Sequence, residues 1–533
     1  MAKGYRPVIR DQGFLLPPDM RDWLPEGHPV WLVIEAVGQL DTSAFHARRK
    51  TGGAGAAGYD PDMLVTLLVW AYAHKVTSSR RIERLCGQDL AFRVICGGCL
   101  PDHVTVARFR KDFAGAVPAL FAEVLGLCAR LGMGKVGVVA LDGTKIAASA
   151  SKAASRTEEA LRKMAEEAAA AHAAADAEED ALFGRDGRGD DDPGDPSTRA
   201  ERVAAALASA RAEREAREAE ERAKAGEHVR AAEAGTPKTG RPPVGAEVEL
   251  ARRPAERVAA GQQARVDEGE RRRAAEGARA GRRPASPEES GKVRAARERL
   301  KKALALQAWR AEQQAAQPDA EPVRRNVTDP DSRLMPVRGG GFIQGYNAQN
   351  LTTEDGLIIA TRLTQDTTDD ARYQPMTSAA SAAAAAMAAA RGDDGDAGIG
   401  LVLADAGYLS EANLTCPGPD RLIATGKHRA LERAARASQD ATTDEDCPAG
   451  EGAIAAMTAR LATPDGITAY RQRGHIAETP HGNIKHNLGF RQLSMRGLRK
   501  ASAEWQFACT VHNLLTAITS GHLTRQALAD LAT

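Results

Sequence analysis

A chain of 533 residues is long enough for several hydrophobic cores, and 72 basic against 71 acidic residues exclude a global basic or acidic field. Aromatics at 4% with abundant alanine favour helix over a β-sandwich. The seven cysteines, scattered from Cys86 to Cys509, exclude a disulfide framework and suit a reducing cytosol. The start, Met1-Ala-Lys-Gly, lacks a signal-peptide h-region, and no apolar run approaches the roughly 18 residues of a membrane helix, so a cytoplasmic protein off the membrane is expected.

Residues 1–130 read as helical. Pro17-Pro18 and Pro25 punctuate an irregular start, and Val30-Trp31-Leu32-Val33-Ile34 opens a helix toward Leu40, before a Gly-rich break at residues 52–55. Asp60-Pro61-Asp62 starts a helix carrying Met63, Leu64, Leu67, Leu68 and Ala71 at helical spacing. Thr77-Ser78-Ser79 caps a second, and Asp102 opens a third that bears Arg108, Arg110 and Lys111. Short helices ending in a basic one suit a helix-turn-helix, with these three cations as DNA contacts; a small bundle with a solvated basic face is the plain alternative. Cys96-Gly-Gly-Cys99 lacks the second pair a structural zinc site needs. A further helix spans 117–132.

Residues 131–150 hold the apolar run Val136-Gly-Val-Val-Ala-Leu-Asp142-Gly-Thr-Lys145, read as a buried strand closed by an aspartate. Residues 151–330 then change character: 35 basic and 35 acidic residues fall there, about half of all charge in the chain. Glu/Arg pairs at helical spacing imply solvated helices, interrupted at residues 184–193 and 236–243, and the composition implies a disordered middle. So long a stretch is an insertion, serving either as an arm that grips DNA or a second subunit, or as a charged spacer.

Residues 331–518 return to alternating strand and helix signals. Phe342 to Gln349 and Gly356 to Leu363 read as a hairpin turning at Thr352-Thr-Glu-Asp355. A helix follows from Asp370 to Arg391, then a strand closed by Asp405, a helix from Ser410 and a strand at residues 421–425. Residues 430–465 read as irregular, 499–518 as an amphipathic helix, and 519–533 as a tail.

A carboxylate at the end of a buried strand is costly unless paired, and a divalent metal is one partner. Asp142, Asp405 and Glu478 are expected to meet around magnesium, which takes oxygen ligands and supports phosphodiester chemistry. Arg473 and Lys485 suit phosphate. Against this stand the preference of Asp for loop starts and helix caps, the rival acids Asp366, Asp369 and Asp370, and a transition-metal site at His475, His481 and His486, whose spacing lacks the helical zinc pair.

The chain resembles DDE transposases of the IS1182 group, within the wider IS4/IS5-like insertion-sequence enzymes. The resemblance rests on Tyr5-Arg-Pro-Val, Asp11-Gln12-Gly-Phe-Leu-Leu-Pro17-Pro18, Pro101-Asp102-His-Val-Thr-Val-Ala-Arg108-Phe-Arg110, Leu141-Asp142-Gly143-Thr144-Lys145, Asp329-Pro-Asp331-Ser-Arg333, Gly345-Tyr-Asn-Ala-Gln349, Ala404-Asp405-Ala-Gly-Tyr408, Tyr470, Arg473, Glu478, Lys485 and His512-Asn-Leu-Leu515. It implies an α/β fold with an RNase H-like core, an N-terminal helical domain and a charged insertion. It also implies a metal triad of Asp142, Asp405 and Glu478 holding Mg2+, with Mn2+ substituting, and Tyr470, Arg473 and Lys485 as the signature around the glutamate. The partners implied are duplex DNA at inverted-repeat ends and target, and a second copy of the chain for synapsis. One departure stands out: four residues separate Arg473 from Glu478 where the broader signature has three. A catalytically decayed copy that only binds DNA, and a metal-dependent nuclease without strand transfer, are the alternatives.

Overall fold

The computed structural model describes residues 19–47, 58–112, 114–168, 199–236, 242–243, 245–276, 283–316, 323–337, 339–393, 398–426 and 452–531. The motifs at residues 5–8 and 11–18, the break at 52–55, the run at 184–193 and the stretch 430–451 lie outside the described residues. Two compact units emerge: Met1–Ala154 with Asp331–Thr533, and Ser155–Pro330. The described strands are, in chain order, β1 (Val138–Ala147), β2 (Ser155–Thr157), β3 (Arg324–Asn326), β4 (Arg333–Pro336), β5 (Phe342–Thr353), β6 (Ile358–Thr364), β7 (Leu401–Ala404) and β8 (Asp420–Ile423).

The first unit is built on a mixed sheet of order β4-β5-β1-β7-β8, with β6 also paired to β5. β5 runs antiparallel to β1 and β6, whereas β7 and β8 are parallel to β1. The first part of β1, residues 138–141, and β7 are apolar because both of their faces are covered. Ala140, Leu403 and Leu422 pack with Ile476 and Ala477 of helix Pro464–Gly482. Their neighbours Val139, Leu141, Val402, Ala404 and Ile423 point the other way, into the main core. That core runs on without a break into the N-terminal helices.

Those helices begin where their caps place them. Asp60 accepts a hydrogen bond from the Asp62 N–H at the head of helix Pro61–Ala73, and Asp102 from Thr105 at the head of helix His103–Asp112. Helix Tyr373–Arg391 stops at Gly392, in the left-handed conformation with φ 75°. Four expectations change. A separate short helix, Leu90–Ile95, follows helix Ser79–Gln88. Residues 453–462, expected to be irregular, form helix Ala453–Ala462. Helix Leu498–Thr519 is buried on most sides rather than amphipathic, because it packs against β6 and helices Pro61–Ala73 and Val117–Arg130 together. Asp142 lies within β1, which continues to Ala147 along β5. Only the pairing with β7 ends at Leu141, opposite Ala404, and the apolar run stops with it.

Arg110 also departs from expectation. Its guanidinium is buried and donates to Glu504 Oε1 at 2.6 Å, to the Tyr72 hydroxyl at 2.7 Å and to the Ser494 hydroxyl at 2.7 Å. Glu504 is fully buried and also accepts from the N–H groups of Ser494 and Met495. This pair fastens helix His103–Asp112 to helix Leu498–Thr519, so Arg110 is not a DNA contact, whereas Arg108 and Lys111 are exposed. Cys96 is buried with its sulfur 3.6 Å from that of Cys86 while Cys99 is exposed, an arrangement that does not form a zinc centre among the described residues.

The second unit holds helices Arg199–Glu233, Ala246–Glu276 and Gly291–Ala316, the last two packed as an antiparallel pair with Arg310 on Glu247. Its ends meet in the β2–β3 ladder, Ser155 opposite Asn326, beside a small core of Leu161, Val203, Ala206, Leu207 and Ala210.

Removing one partner of a buried ion pair leaves an uncompensated charge, so Glu504→Ala is expected to lower the unfolding free energy by about 3–5 kcal/mol, read by urea denaturation of the full chain. His512 supplies a pH test. Asn483 Nδ2 donates to its Nδ1 at 2.8 Å and its Nε2–H donates to Gly356 O at 3.0 Å, so both nitrogens are used by the neutral ring. Burial lowers its pKa from 6.5 to about 4. The unfolded chain takes up this proton first, so the stabilisation is present above pH 6.5 and lost as pH falls toward 4. His512 is expected to contribute about 2 kcal/mol to the loss of stability between pH 7 and pH 5, a share that His512→Gln removes from the pH dependence of urea unfolding.

Candidate active site

The sheet register brings two acids together. Leu141 and Ala404 are the last paired residues of β1 and β7, and Asp142 and Asp405 are the next residue on each strand. Strand alternation puts Asp142 on the face of Ala140, and Asp405 follows Leu403 in the same way, both toward helix Pro464–Gly482. From that helix Arg473 reaches between them, Nη1 lying 3.9 Å from Asp142 Oδ1 and Nη2 3.9 Å from Asp405 Oδ2. These are ion-pair distances beyond hydrogen-bond range. Asp405 also accepts from the Gly407 N–H at 2.9 Å.

The remaining signature residues brace this pair. The Tyr470 hydroxyl donates to Ala404 O at 3.2 Å and accepts from Arg473 Nε at 3.2 Å, tying the arginine to the end of β7. The helix persists through Pro480 and ends in a π turn, Asn483–Asn487. Lys485, in that turn, donates to Thr144 Oγ1 at 2.5 Å and Lys145 O at 2.9 Å, so its ammonium clamps the helix end to β1. Burial lowers its pKa, and the nearby Asp142 charge pulls the other way. His481 is buried with Nε2 3.4 Å from Asp142 O, so this nitrogen faces a backbone carbonyl of β1, and burial lowers its pKa to about 4, which keeps the ring neutral. His475 and His486 are not gathered with it: His486 Nδ1 accepts from Arg491 at 2.9 Å.

Glu478 is exposed on this helix. Residue 477, one turn after Arg473, is the buried Ala477, and the extra residue carries Glu478 about 100° further round. Its carboxylate does not join the two aspartates in a tight cluster. Among the described residues, the trio of ligand atoms within 4.8 Å of one another is His46, Asp60 and Asp62, where Asp60 serves as a helix cap and Asp62 pairs with His46.

Asp369, one of the rival acids, is the residue whose role the sequence conceals. Its Oδ1 accepts from Asn347 Nδ2 and Gln349 Nε2, each at 2.6 Å, and lies 3.6 Å from Lys145 Nζ. The Tyr408 hydroxyl donates to Gln349 Oε1. Burial, and after it the charges of Asp369, Asp142 and Asp405, push the Tyr408 phenol well above its ordinary value, so it remains a donor. This network passes over Gly143, where a Cβ would meet Gln349 Nε2 at 2.4 Å and Asp369 Oδ1 at 2.8 Å. Asp405 Oδ1 and Asp369 Oδ2 likewise crowd Gly407. Lys145, Asn347, Gln349 and Tyr408 thus form one support behind the acids; the alternation of Asn347 and Gln349 on one strand face was the available signal.

The two aspartates offer carboxylate oxygens, while the nearby imidazole faces a backbone carbonyl. That donor chemistry fits a hard divalent cation and not a zinc site.

A transposase domain (DUF772) matches residues 18–112 and a transposase DDE domain matches residues 434–517, the latter spanning Tyr470, Arg473, Glu478 and Lys485 but neither aspartate. Together, in this order, they indicate a DDE transposase of the IS1182-type arrangement. No curated protein and no solved structure matches the chain. Among the described residues no single helix is long and apolar enough to cross a membrane.

Asp369→Asn keeps an oxygen for Asn347 and Gln349, whereas Asp369→Ala leaves both buried amides without it. The alanine variant is expected to be less stable than the asparagine variant by about 2 kcal/mol in urea unfolding. Equal stability would remove Asp369 from its supporting role.

Proposed function

We propose that this chain binds the inverted-repeat ends of its own insertion sequence and catalyses metal-dependent strand cleavage followed by strand transfer. The observation that carries the reading is the matched exit of Asp142 and Asp405 from adjacent parallel strands, with Arg473 between them. The mixed sheet that delivers them is, on this reading, an RNase H-like core. Asp142, Asp405 and Glu478 would hold Mg2+, with Mn2+ substituting. Glu478 enters as third ligand because its helix packs on β1 and β7 and because the DDE domain match spans it.

A bound divalent cation supplies Lewis-acid activation of the attacking oxygen and charge stabilisation of the leaving one. The chain's own residues do the rest. Arg473 lies between the two carboxylates, and its guanidinium is placed to meet a phosphate that draws near. Tyr470 and Lys485 fix the helix against both strands, so the acids keep their spacing as DNA enters. Exposed Arg108 and Lys111, on helix His103–Asp112, are proposed as contacts to the terminal repeat. Synapsis of two ends calls for at least a dimer, working at the nucleoid in the cytoplasm.

The test is cleavage of duplex DNA carrying the element's ends, with magnesium or manganese. Nicking at the repeat boundary is expected from the wild type and is expected to fall to background in Asp405→Asn and Asp142→Ala, with end binding retained. Loss of binding as well would assign Asp142 to folding. Nicking without joined products would favour the nuclease, and binding without nicking the decayed copy. Glu478→Gln should match the aspartate variants while Asp369→Asn keeps measurable cleavage; the reverse would move the third acid to Asp369.

A further inference from the structure

The three long helices of the Ser155–Pro330 unit do not share their charge evenly. Helix Arg199–Glu233 carries eight basic and eight acidic residues, and helix Ala246–Glu276 seven of each. Helix Gly291–Ala316 carries seven basic residues against two acidic, Glu298 and Glu312. The pairing differs as well. On the neutral helices many of the cations sit on nearby carboxylates, among them Arg214 on Glu218, Arg217 on Glu213, Lys224 on Glu220 and Arg252 on Glu249, at 2.6–2.8 Å. On the basic helix Arg310 alone is so engaged, with Glu247. Lys292, Arg294, Arg297, Arg299, Lys301 and Lys302 are exposed and have no ion pair among the described residues.

Those six cations occupy eleven residues, about 16 Å of helix at 1.5 Å per residue. Val293, Ala296, Leu300 and Ala303 turn inward, which leaves the cations around the solvent side. Concentrated like charge on one helix costs self-repulsion that its neighbours avoid by pairing. A polyanion relieves it, and duplex DNA carries about one phosphate per 1.7 Å of axis. Arg and Lys mixed along the helix, without an interleaved aromatic among the six, suit phosphate contact rather than base stacking.

We propose that helix Gly291–Ala316 is a phosphate-contacting surface by which the inserted unit binds duplex DNA independently of sequence. This rests on the reading that the chain acts on DNA. It assigns to the insertion a share of affinity and none of the specificity, which stays with the N-terminal helices.

The test is the salt dependence of DNA binding by the full chain, using a duplex with the element's ends and one of unrelated sequence. Glutamine at Arg294, Arg297, Lys301 and Lys302 should reduce the slope of log K against log salt by about 3 to 4, at roughly 0.9 per lost phosphate contact, equally on both duplexes. Glutamine at only Lys301 and Lys302 should reduce it by about 2. A control variant with glutamine at Arg214, Arg217, Lys224 and Arg252, whose cations are already paired, should keep the wild-type slope. These side chains are exposed, except for the half-buried Arg214, and far-UV circular dichroism should show the helices unchanged in every variant. Wild-type slopes in the first two variants, or an equal fall in the control, would overturn the proposal. A wild-type chain that binds neither duplex at low salt would overturn the DNA reading itself.

Discussion

The site depends on register. β1 and β7 are parallel and in step, so the residues that follow Leu141 and Ala404 project side by side. A slip of one residue on either strand would turn one aspartate to the opposite face of the sheet, away from Arg473. The register is held by apolar packing on both faces: Ala140, Leu403 and Leu422 against helix Pro464–Gly482, and Val139, Leu141 and Val402 against the main core. The acids are placed by the hydrophobic effect acting on their neighbours, and the charged residues around them only refine the result.

Charge in this chain is spent in three ways. Arg110 and Glu504 are buried together and fasten helix His103–Asp112 to helix Leu498–Thr519. Arg473, Lys145 and Lys485 lie partly buried against carboxylates, hydroxyls or carbonyls at the site. Arg108, Lys111 and six of the seven cations of helix Gly291–Ala316 are exposed to water. A near-zero net charge conceals this division, because what separates the groups is burial and partner rather than number.

Much of the architecture was legible because it is local. Asp60-Pro61-Asp62 and Asp102 announce their helices through capping chemistry, and the hairpin of β5 and β6 turns where Thr352-Thr-Glu-Asp355 and Gly356 place it. The two strand-borne aspartates stood out because each closes an apolar run. What could not be read depends on residues far apart in the chain. Arg110 looks like its exposed neighbours until Glu504, almost four hundred residues on, is brought beside it. Helix Leu498–Thr519 shows no polar face because three elements share it. Asp369 acquires its role only when Asn347 and Gln349 fold over Gly143. The spacing of Glu478 was visible, but its meaning, a turn of about 100° away from the buried face, required the helix.

The β2–β3 ladder has a consequence for how such a chain can change. The two ends of the insertion are held as neighbours, Ser155 opposite Asn326, so everything between them is closed into one loop at its stem. A gain or loss of residues beyond that stem adds little closure entropy, since each doubling of length costs only about 0.6 kcal/mol. It also leaves the path from β1 to β4 unaltered. The insertion is therefore a place where evolution can lengthen, shorten or recharge the protein without renegotiating the register that sets Asp142 beside Asp405.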